Sequence, residues 1–330
     1  MTTTAQVFHL KQRPKGLPQV SDFELRETPL KTLAANEVLV ENLYMSVDPY
    51  MRGRMRLMVP GSALFGAAVG RVIASEAPAM PVGSAVLSGR SWHSHFVEDA
   101  AALTLLDPNL APLSSYLGVM GMPGLTAWGG LLITGEYQDG ETLFVSTASG
   151  AVGNLVGQIA KLKGGRVIGS AGSDEKVARL IEDNGFDHAF NYKTADPLTE
   201  LKRGAPEGID VYFENVGGAQ LEAALTHMRP HGRIPICGMI AHYNDDGVAT
   251  PGPRNLTETI YKFITLKGFV VSAFESERDR FQEQMSSWIA SSAIQYEETV
   301  HEGLDQAPDA FISLFTGGNS GKMLVKLTKD

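Results

Sequence analysis

The chain has 330 residues, of which 43% are hydrophobic and 20% are charged, and its formal net charge is −9. These totals predict a globular protein of two domains, and an acidic chain without a run of five like charges argues against a nucleic-acid or membrane-surface partner. The N-terminus lacks the basic and apolar segments of a signal peptide, and no apolar run reaches the length of a membrane span. A single cysteine, Cys237, excludes internal disulfides and fits a cytoplasmic location.

The first part of the chain, residues 1–117, has the pattern of a β-rich domain. Short apolar runs at 37–44, 67–74 and 85–87 are separated by turns rich in proline, glycine and serine. We therefore expect short strands here and few helices.

From residue 118 the pattern changes to short apolar strands that alternate with amphipathic helices. Strands are predicted at 142–147, 166–170, 189–192, 209–214, 233–237 and 269–273, and helices at 153–163, 174–184, 197–203, 218–228 and 255–265. This alternation predicts an α/β fold, a doubly wound parallel sheet of the Rossmann type. A helix at 278–291 follows, and the pattern changes again near residue 290, with strands predicted at 296–301 and 322–327 and a helix at 308–316.

A small-residue turn follows the first strand of this region. It reads Ala148-x-Gly150-x-x-Gly153, with alanine where the dinucleotide-binding fingerprint usually has its first glycine. Gly150 would let the backbone approach a pyrophosphate, and Gly153 would let the following helix pack closely on the strand. The alternative is a tight β–α turn of any doubly wound sheet, but the strand–turn–helix context favours dinucleotide binding.

Lys176 is the residue that indicates NADP. Ser173 is predicted to cap a helix, so Asp174 and Glu175 in its first turn are explained by the helix dipole. Lys176 has the wrong charge for this helix end, and residues 172, 173, 179 and 180 give it no acid one helical turn away. The 2′-phosphate of NADP is the anion expected at this point, and the alternative is a solvated lysine.

Several ordered motifs resemble those of the zinc-free branch of the medium-chain dehydrogenase/reductase superfamily, the prostaglandin reductases and alkenal/one double-bond reductases, which include curcumin reductases. The motifs are Asp48-Pro-Tyr-Met-Arg-Gly-Arg-Met55, Gly121-Met-Pro-Gly-Leu-Thr-Ala-Trp128, the glycine turn, Gly172-Ser-Asp-Glu-Lys176, Phe190-Asn-Tyr-Lys193 and Glu214-Asn-Val-Gly-Gly218. The resemblance covers essentially the whole chain. It implies a GroES-like catalytic domain at 1–117 that the segment 290–330 completes, with a Rossmann NADP-binding domain at 118–289 inserted between them.

The resemblance also implies which residues contact NADPH. The pyrophosphate would lie along Gly150, Ala151, Val152 and Gly153, and Lys176 and Tyr192 would hold the 2′-phosphate. Asn215 would contact the cofactor near its ribose, and Cys237, Gly238, Ile240 and Tyr243 would lie in the loop beside the nicotinamide half. The nicotinamide ring itself would be enclosed by Met122, Thr126, Phe269, Val270, Val271 and Asn319.

We expect no metal site. Related alcohol dehydrogenases bind zinc through cysteine and histidine, but Cys237 lies at a strand end, and His93 and His95 have no evident third ligand. The substrate carbonyl must then be polarised by hydroxyl groups or backbone donors.

The reaction that the resemblance implies is hydride transfer from NADPH to the β-carbon of an α,β-unsaturated ketone or aldehyde. Tyr243 is the candidate for protonating the α-carbon, because a tyrosine is a proton donor at neutral pH, and Tyr50 is a second candidate that faces the substrate. Either tyrosine could instead be an aromatic wall of the site. Arg52 and Arg54 either anchor a carboxylate or brace the loop, and we favour bracing.

The substrate and the assembly are less defined. The segment 56–65 looks shortened and apolar relative to the plant and enterobacterial proteins that the chain resembles, and Leu57, Met58 and Phe65 favour a hydrophobic substrate. A quinone reductase of the same superfamily and a non-catalytic NADPH-binding sensor are the alternatives. The resemblance also implies a homodimer.

Overall fold

The structure is a computed structural model that describes residues 3–245, 248 and 251–328. It divides into two compact units, the first formed by Met1–Gly118 with Glu298–Asp330 and the second by Val119–Glu297. The second unit is therefore a continuous insertion between two segments of the first.

The first unit is built mainly from antiparallel strands. A seven-stranded sheet has the order β14-β15-β3-β4-β5-β7, with β6 paired to β3, and β1 and β2 form a separate pair. Its elements are β1 (Thr4–Leu10), β2 (Phe23–Pro29), β3 (Glu37–Ser46), α1 (Tyr50–Met55), β4 (Ala68–Ser75), β5 (Ala85–Ser88), β6 (His95–Asp99) and β7 (Thr104–Leu105), and, from the C-terminal segment, β14 (Glu298–Glu302), α9 (Ala307–Ser313) and β15 (Lys322–Lys326).

An aromatic cluster forms the core beneath α1. The ring of Trp92 is fully buried and stacks on Phe23 with centroids 5.7 Å apart, and Phe8 and Phe311 pack on it edge to face. Tyr50, at the start of α1, packs against the same cluster. The core thus holds the short helix that carries Tyr50 and the two arginines.

The second unit contains a six-stranded sheet in the order β10-β9-β8-β11-β12-β13, in which every pairing is parallel. Its elements are α2 (Met122–Gly129), β8 (Thr142–Val145), α3 (Gly153–Leu162), β9 (Arg166–Ala171), α4 (Asp174–Glu182), β10 (His188–Asn191), α5 (Pro197–Gly204), β11 (Ile209–Phe213), α6 (Gly218–His227), β12 (Met228–Ile236), α7 (Glu258–Tyr261), β13 (Thr265–Gly268) and α8 (Arg278–Ala290). The predicted fold class, a Rossmann sheet with a second, β-rich domain, is confirmed.

Two predicted elements near the end of this sheet are wrong. The sixth strand is Thr265–Gly268, and the segment predicted as that strand, 269–273, instead leads into a 3₁₀ helix at Val271–Glu277. The predicted helix 255–265 is reduced to the four residues of α7. The apolar run at 269–271 misled the prediction, because β13 is an edge strand that is mostly exposed and has no apolar pattern of its own.

Across the described part of the chain, none of the helices has the length and apolar character needed to span a membrane.

Candidate functional site

The carboxyl ends of β8 and β11 form the centre of the candidate site. These strands are neighbours in the sheet, but the chain continues from β8 to β9 on one side and from β11 to β12 on the other. Parallel strands whose connections diverge in this way leave a crevice at their carboxyl ends, where α/β proteins bind nucleotides. The segments 146–152 and 214–217, which follow the two strands, border this crevice.

The turn between β8 and α3 holds the predicted pyrophosphate residues Gly150, Ala151, Val152 and Gly153. A Cβ atom at Gly153 would lie 2.4 Å from the carbonyl oxygen of Thr147, so only glycine lets α3 begin this close to the strand. The helix is ten residues long, and its N-terminus directs amide donors and a partial positive charge toward the crevice. This geometry fits a pyrophosphate.

The alanine that replaces the first fingerprint glycine has a structural explanation. Ala148 is fully buried, and its amide donates to the carbonyl oxygen of Ser170 on β9 at 2.8 Å. The Cβ atom of Ala148 lies only 2.8 Å from the point that a Cβ atom at Gly169 would occupy. The space that glycine would leave at 148 is therefore provided by Gly169 on the neighbouring strand.

Two lysines and a tyrosine meet where β9 and β10 end. A Cβ atom at Gly172 would lie 3.3 Å from the hydroxyl oxygen of Tyr192 and 3.5 Å from Cε of Lys193, so both side chains lie over this glycine. The Ser173 hydroxyl accepts the amide of Lys176 at 3.3 Å, which confirms the predicted N-cap. Burial lowers the pKa of Lys176, and repulsion from Lys193 lowers it further. Two neighbouring cations beside a glycine are suited to a phosphate.

The acidic side chains near this cluster interact with other groups of the protein, so we do not assign any of them the role of the carboxylate that binds NAD. Asp174 accepts a hydrogen bond from the Asn191 amide at 2.8 Å. The charges of Glu175 and Glu297 raise the pKa of Lys176, opposing burial and Lys193. The sequence argument considered only the positions one helical turn from Lys176, and the charges that act on this lysine come instead from the adjacent Glu175 and from Glu297 outside the helix.

Lys193 was not among the predicted site residues. It directly follows Tyr192 after the third Rossmann strand, and this position is the sequence signal that could have identified it. Its proximity to Lys176 depends on the pairing of β9 with β10, which places Asn191 opposite Ala171.

The turn after β11 is organised by the buried carboxylate of Glu214. Its Oε1 accepts hydrogen bonds from the Tyr212 hydroxyl at 2.7 Å and from the amides of Val216 and Gly217 at 2.6 and 2.9 Å. The Asn215 amide donates to the Ser146 hydroxyl at 2.9 Å, and the Asn215 side chain donates to the Ser146 carbonyl at 2.8 Å. These bonds fix Asn215 between the ends of β8 and β11, at the centre of the crevice.

The same turn holds the segment that carries Tyr243. The amides of Cys237 and Gly238 both donate to the Glu214 carbonyl, at 2.9 and 3.1 Å, and the Ile240 amide donates to the Asn215 carbonyl at 3.0 Å. A short 3₁₀ helix, Ile240–His242, then leads to Tyr243. The structure thus brings Asn215, Cys237, Gly238 and Ile240 together at the ends of neighbouring strands.

The surroundings of Tyr243 keep its hydroxyl group protonated and neutral. A Cβ atom at Gly238 would lie 2.9 Å from its hydroxyl oxygen, so glycine leaves room for the tyrosine. Burial raises the pKa of Tyr243, and the neighbouring Cys237 raises it further. The pKa of Cys237 is itself raised to about 12 by burial and by Glu214, so the thiol is neutral at physiological pH. Tyr243 can therefore donate a proton and cannot act as a base near neutral pH.

The other predicted cofactor contacts in the second unit have structural partners of their own. The Thr126 hydroxyl donates to the Met122 carbonyl at 2.7 Å, within α2. The ring of Phe269 packs against Phe213 and Phe274, with centroids 6.0 and 5.5 Å away. The Phe269 side chain therefore belongs to the packing of this unit, whereas Val270 is 68% exposed and Val271 begins the 3₁₀ helix.

In the first unit, the predicted residues lie on α1 and near the start of β15. Tyr50 is half-buried beside the arginine Arg54, and its pKa is raised mainly by burial and then by Asp48. The Asn319 side chain donates to the carbonyl of Gly321 at 2.8 Å.

His93 and His95, the H-x-H pair of the sequence, contact different residues. Nδ1 of His93 lies 2.7 Å from the Ser91 carbonyl, and burial lowers the pKa of this imidazole. His95 lies 3.7 Å from Glu41. In residues 3–245, 248 and 251–328, no group of three or more histidine, cysteine, aspartate or glutamate side chains could hold a metal ion.

Comparison with known proteins gives two family-model matches. The family described as "N-terminal domain of oxidoreductase" matches residues 6–106, and the family described as "Zinc-binding dehydrogenase" matches residues 151–291. The first match lies within the first unit described above, and the second lies within the second unit.

Whole-length relatives are also found. Prostaglandin reductase 1 of Bos taurus is 46% identical over 327 residues, which are 98% of this chain and 99% of the relative. The NADP(+)-dependent 2-alkenal reductase of Nicotiana tabacum is 42% identical over 334 residues, 97% of each chain. Among solved structures, CurA from Vibrio vulnificus in complex with NADPH superposes with a TM-score of 0.92 at 38% identity, covering 98% of this chain and 100% of the other.

Proposed function

Because the chain belongs to the zinc-free branch of the medium-chain dehydrogenase/reductase superfamily that includes prostaglandin and 2-alkenal reductases, we propose that it reduces the C=C bond of α,β-unsaturated ketones and aldehydes. It is an NADP-dependent oxidoreductase that acts on a small molecule. The choice of substrate is the part that we propose.

The observation that carries this proposal is the neutral hydroxyl of Tyr243, in the segment that follows β12. The tyrosine is held by a segment that is hydrogen-bonded to the cofactor crevice through Glu214 and Asn215. Reduction of an enone adds a hydride to the β-carbon and a proton to the α-carbon. Because its pKa is raised, the half-buried phenol of Tyr243 stays protonated near neutral pH and can deliver that proton, and solvent would then reprotonate it.

The residues of the second unit fit NADPH. Gly150, Ala151, Val152 and Gly153 would hold the pyrophosphate, because glycine at 153 leaves no side chain between strand and helix. Lys176, Tyr192 and Lys193 would hold the 2′-phosphate, and Asn215 would contact the ribose. When it is bound there, NADPH supplies the hydride.

The first unit would supply the substrate side. Tyr50 would bond the substrate carbonyl and stabilise the negative charge that develops on its oxygen during hydride transfer. Exposed Leu57 and half-buried Met58 follow α1 and favour a hydrophobic group on the substrate. We retain the domain assignment of 1–117 with 290–330 as catalytic and 118–289 as cofactor-binding, and a cytoplasmic homodimer, as predictions.

The test measures the oxidation of NADPH, from the loss of its absorbance, with each member of a panel of substrates. Medium-chain 2-alkenals and 3-alken-2-ones should be reduced, their saturated counterparts should not, and the product should be the saturated carbonyl by mass spectrometry. Saturated aldehydes and ketones are the matched control, because they retain the carbonyl and lack only the C=C bond.

Each alternative gives a different result in this panel. Oxidation of NADPH by 1,4-quinones but not by alkenals or enones would identify a quinone reductase. Tight NADPH binding without turnover of any member would identify a non-catalytic binding protein. Reduction of the C=O bond, giving an allylic alcohol, would exclude the proposed reaction.

A further inference from the structure

The segment 11–20, between β1 and β2, lies against α1 and the loop that follows this helix. Arg52 is fully buried in α1, and its Nη2 donates to the carbonyl oxygen of Gly16 at 2.9 Å. Nε of Arg13 donates to the carbonyl oxygen of Met58 at 3.0 Å. Arg52 therefore braces the neighbouring segment, and the two parts of the chain form one continuous surface of the first unit.

This surface is basic although the chain is acidic. Segments 11–20 and 49–65 contain six of the 28 lysines and arginines of the chain and none of its 37 aspartates and glutamates. One of the six, Arg52, is buried, and the other five are exposed or half-buried: Lys11, Arg13, Lys15, Arg54 and Arg56. We call the exposed side chains of these two segments the basic surface.

The acids that border the basic surface along the chain are already paired. Asp22 is buried and accepts a hydrogen bond from the Gln12 side chain at 2.8 Å. Glu24, whose charge interacts with Lys11, forms a salt bridge with Arg26 at 2.6 Å. At physiological salt, exposed charges more than about 8 Å apart are largely screened from one another. The net charge of −9 therefore does not determine what this surface attracts.

Large apolar side chains protrude among these cations. Leu57 and Val59 are 86% and 67% exposed, and Leu17, Val20 and Phe65 are also exposed. A group of exposed apolar side chains indicates a surface that is covered by a partner. A nucleic acid or an acidic protein would use the cations and leave Leu57 and Val59 in water. An anionic lipid surface uses both, because headgroups attract the cations and the apolar side chains enter the acyl boundary.

We propose that the basic surface binds peripherally to a bilayer that contains anionic lipids, with Lys11 and Lys15 at the headgroups and Leu57 and Val59 inserted between them. The net charge of the whole chain argued against a membrane-surface partner, because that sum averages over this local surface. The inference does not depend on which substrate the enzyme reduces. Its consequence is that α1, which carries Tyr50, would be brought close to lipid.

The experiment measures the partition of the full-length protein onto lipid vesicles by flotation, without cofactor or substrate. One set of vesicles is phosphatidylcholine alone, and the other contains equal amounts of phosphatidylcholine and phosphatidylserine. Each set is tested at low and at physiological salt. We expect binding to the vesicles with phosphatidylserine, weakened but not abolished by salt, and little binding to phosphatidylcholine alone.

Two double variants separate the electrostatic from the apolar contribution. A basic residue near an anionic surface raises the partition coefficient roughly fivefold, so Lys11→Gln with Lys15→Gln should lower it by about 10- to 30-fold. Leu57→Ser with Val59→Ser should remove most of the binding that persists at physiological salt, because that part depends on buried apolar area.

The matched control has the same change in net charge on the second unit. Lys202 and Arg203 are exposed at the end of α5, and replacing both by glutamine should leave the partition coefficient within about twofold of the native value, since they are not part of the basic surface.

Three results would overturn the proposal. The first is a native protein that does not float with the phosphatidylserine vesicles at either salt concentration. The second is an equal loss of binding in the Lys202 and Arg203 variant, which would replace a specific surface by attraction of the whole molecule. The third is binding that physiological salt abolishes and that the Leu57 and Val59 variant does not change, because a purely electrostatic contact would fit an acidic protein or a nucleic acid equally well. None of these results bears on enone reduction, which the experiment does not measure.

Discussion

Replacing Lys176 by alanine should weaken the binding of NADPH and leave that of NADH nearly unchanged. Lys176 is half-buried, so its ammonium is only partly solvated, and the neighbouring Lys193 lowers its pKa by repulsion. A phosphate group between the two lysines replaces this repulsion by attraction. A hydrogen bond to a charged group contributes about 1.5–3 kcal/mol, which corresponds to roughly 10- to 150-fold in Kd.

The assay titrates the protein with each cofactor in the absence of a substrate, and binding is monitored by the fluorescence of the nicotinamide. The Kd of NADPH should rise by about 10- to 150-fold for Lys176→Ala and by less for Lys193→Ala, because Lys193 is exposed and its charge is better screened. Lys163→Ala is the matched control. It removes a lysine of the same unit that pairs with Asp139 and has no part in the phosphate site.

Equal weakening of NADPH and NADH by Lys176→Ala would refute the assignment, because only NADPH carries the 2′-phosphate. A stronger effect of Lys193 than of Lys176 would instead identify the more exposed lysine as the main phosphate ligand. Loss of affinity in the Lys163 variant would show that net charge alone attracts the cofactor.

Two further substitutions test the proposed catalytic role of Tyr243 and the support of α1. Tyr243→Phe should lower kcat by about 100-fold or more, because general acid catalysis contributes a factor of this size. The Kd of NADPH should change much less. An unchanged kcat would show that Tyr243 is not the proton donor. Lys322→Met should cost about 3–5 kcal/mol in urea unfolding, because it leaves the buried Asp48 without its partner. Lys31→Met, which removes the exposed lysine that pairs with Glu37, should cost much less than Lys322→Met, and equal losses would contradict the reasoning.

The sequence was sufficient for the parts of the site whose signals are local. The alternation of apolar strands and amphipathic helices predicted the parallel sheet, and Ser173 predicted the start of α4, since a serine at an N-cap acts on an amide three residues away. The glycine turn was predicted for the same reason: Gly153 is required by the carbonyl of Thr147, six residues before it.

The sixth strand shows why other parts could not be predicted. In the apolar run at 269–271, the ring of Phe269 packs against Phe213, which is distant in the sequence, whereas Val270 is exposed. The true strand, Thr265–Gly268, pairs with β12 and is mostly exposed apart from the half-buried Leu266, so it has no alternating apolar pattern that could identify it. Lys193 was missed for a related reason, since its neighbour Lys176 is brought to it by strand pairing.

The role of Glu214 also depends on tertiary structure, and it gives a prediction about pH. Its carboxyl group is fully buried, and burial raises its pKa despite the hydrogen bonds that Oε1 accepts. In the described part of the chain, its other oxygen, Oε2, has no hydrogen-bond partner. The folded protein therefore holds a proton on this group at pH values where the unfolded chain has lost it.

A carboxyl whose pKa is higher in the folded state favours folding below its unfolded pKa, and this contribution is lost as the pH rises toward the folded value. The free energy of unfolding, measured with urea, should therefore increase for Glu214→Gln relative to the native protein as the pH rises above 4.5, the ordinary pKa of a glutamate. Glu222→Gln is the control of opposite sign, because Arg254 lowers the pKa of Glu222 and that carboxylate stabilises the fold only at higher pH. If the native and Glu214→Gln proteins show parallel pH profiles, Glu214 does not titrate differently on folding. The effect of burial on the pKa of Glu214 would then be balanced by the donors on Oε1, so that this pKa would be the same in the folded protein and in the unfolded chain.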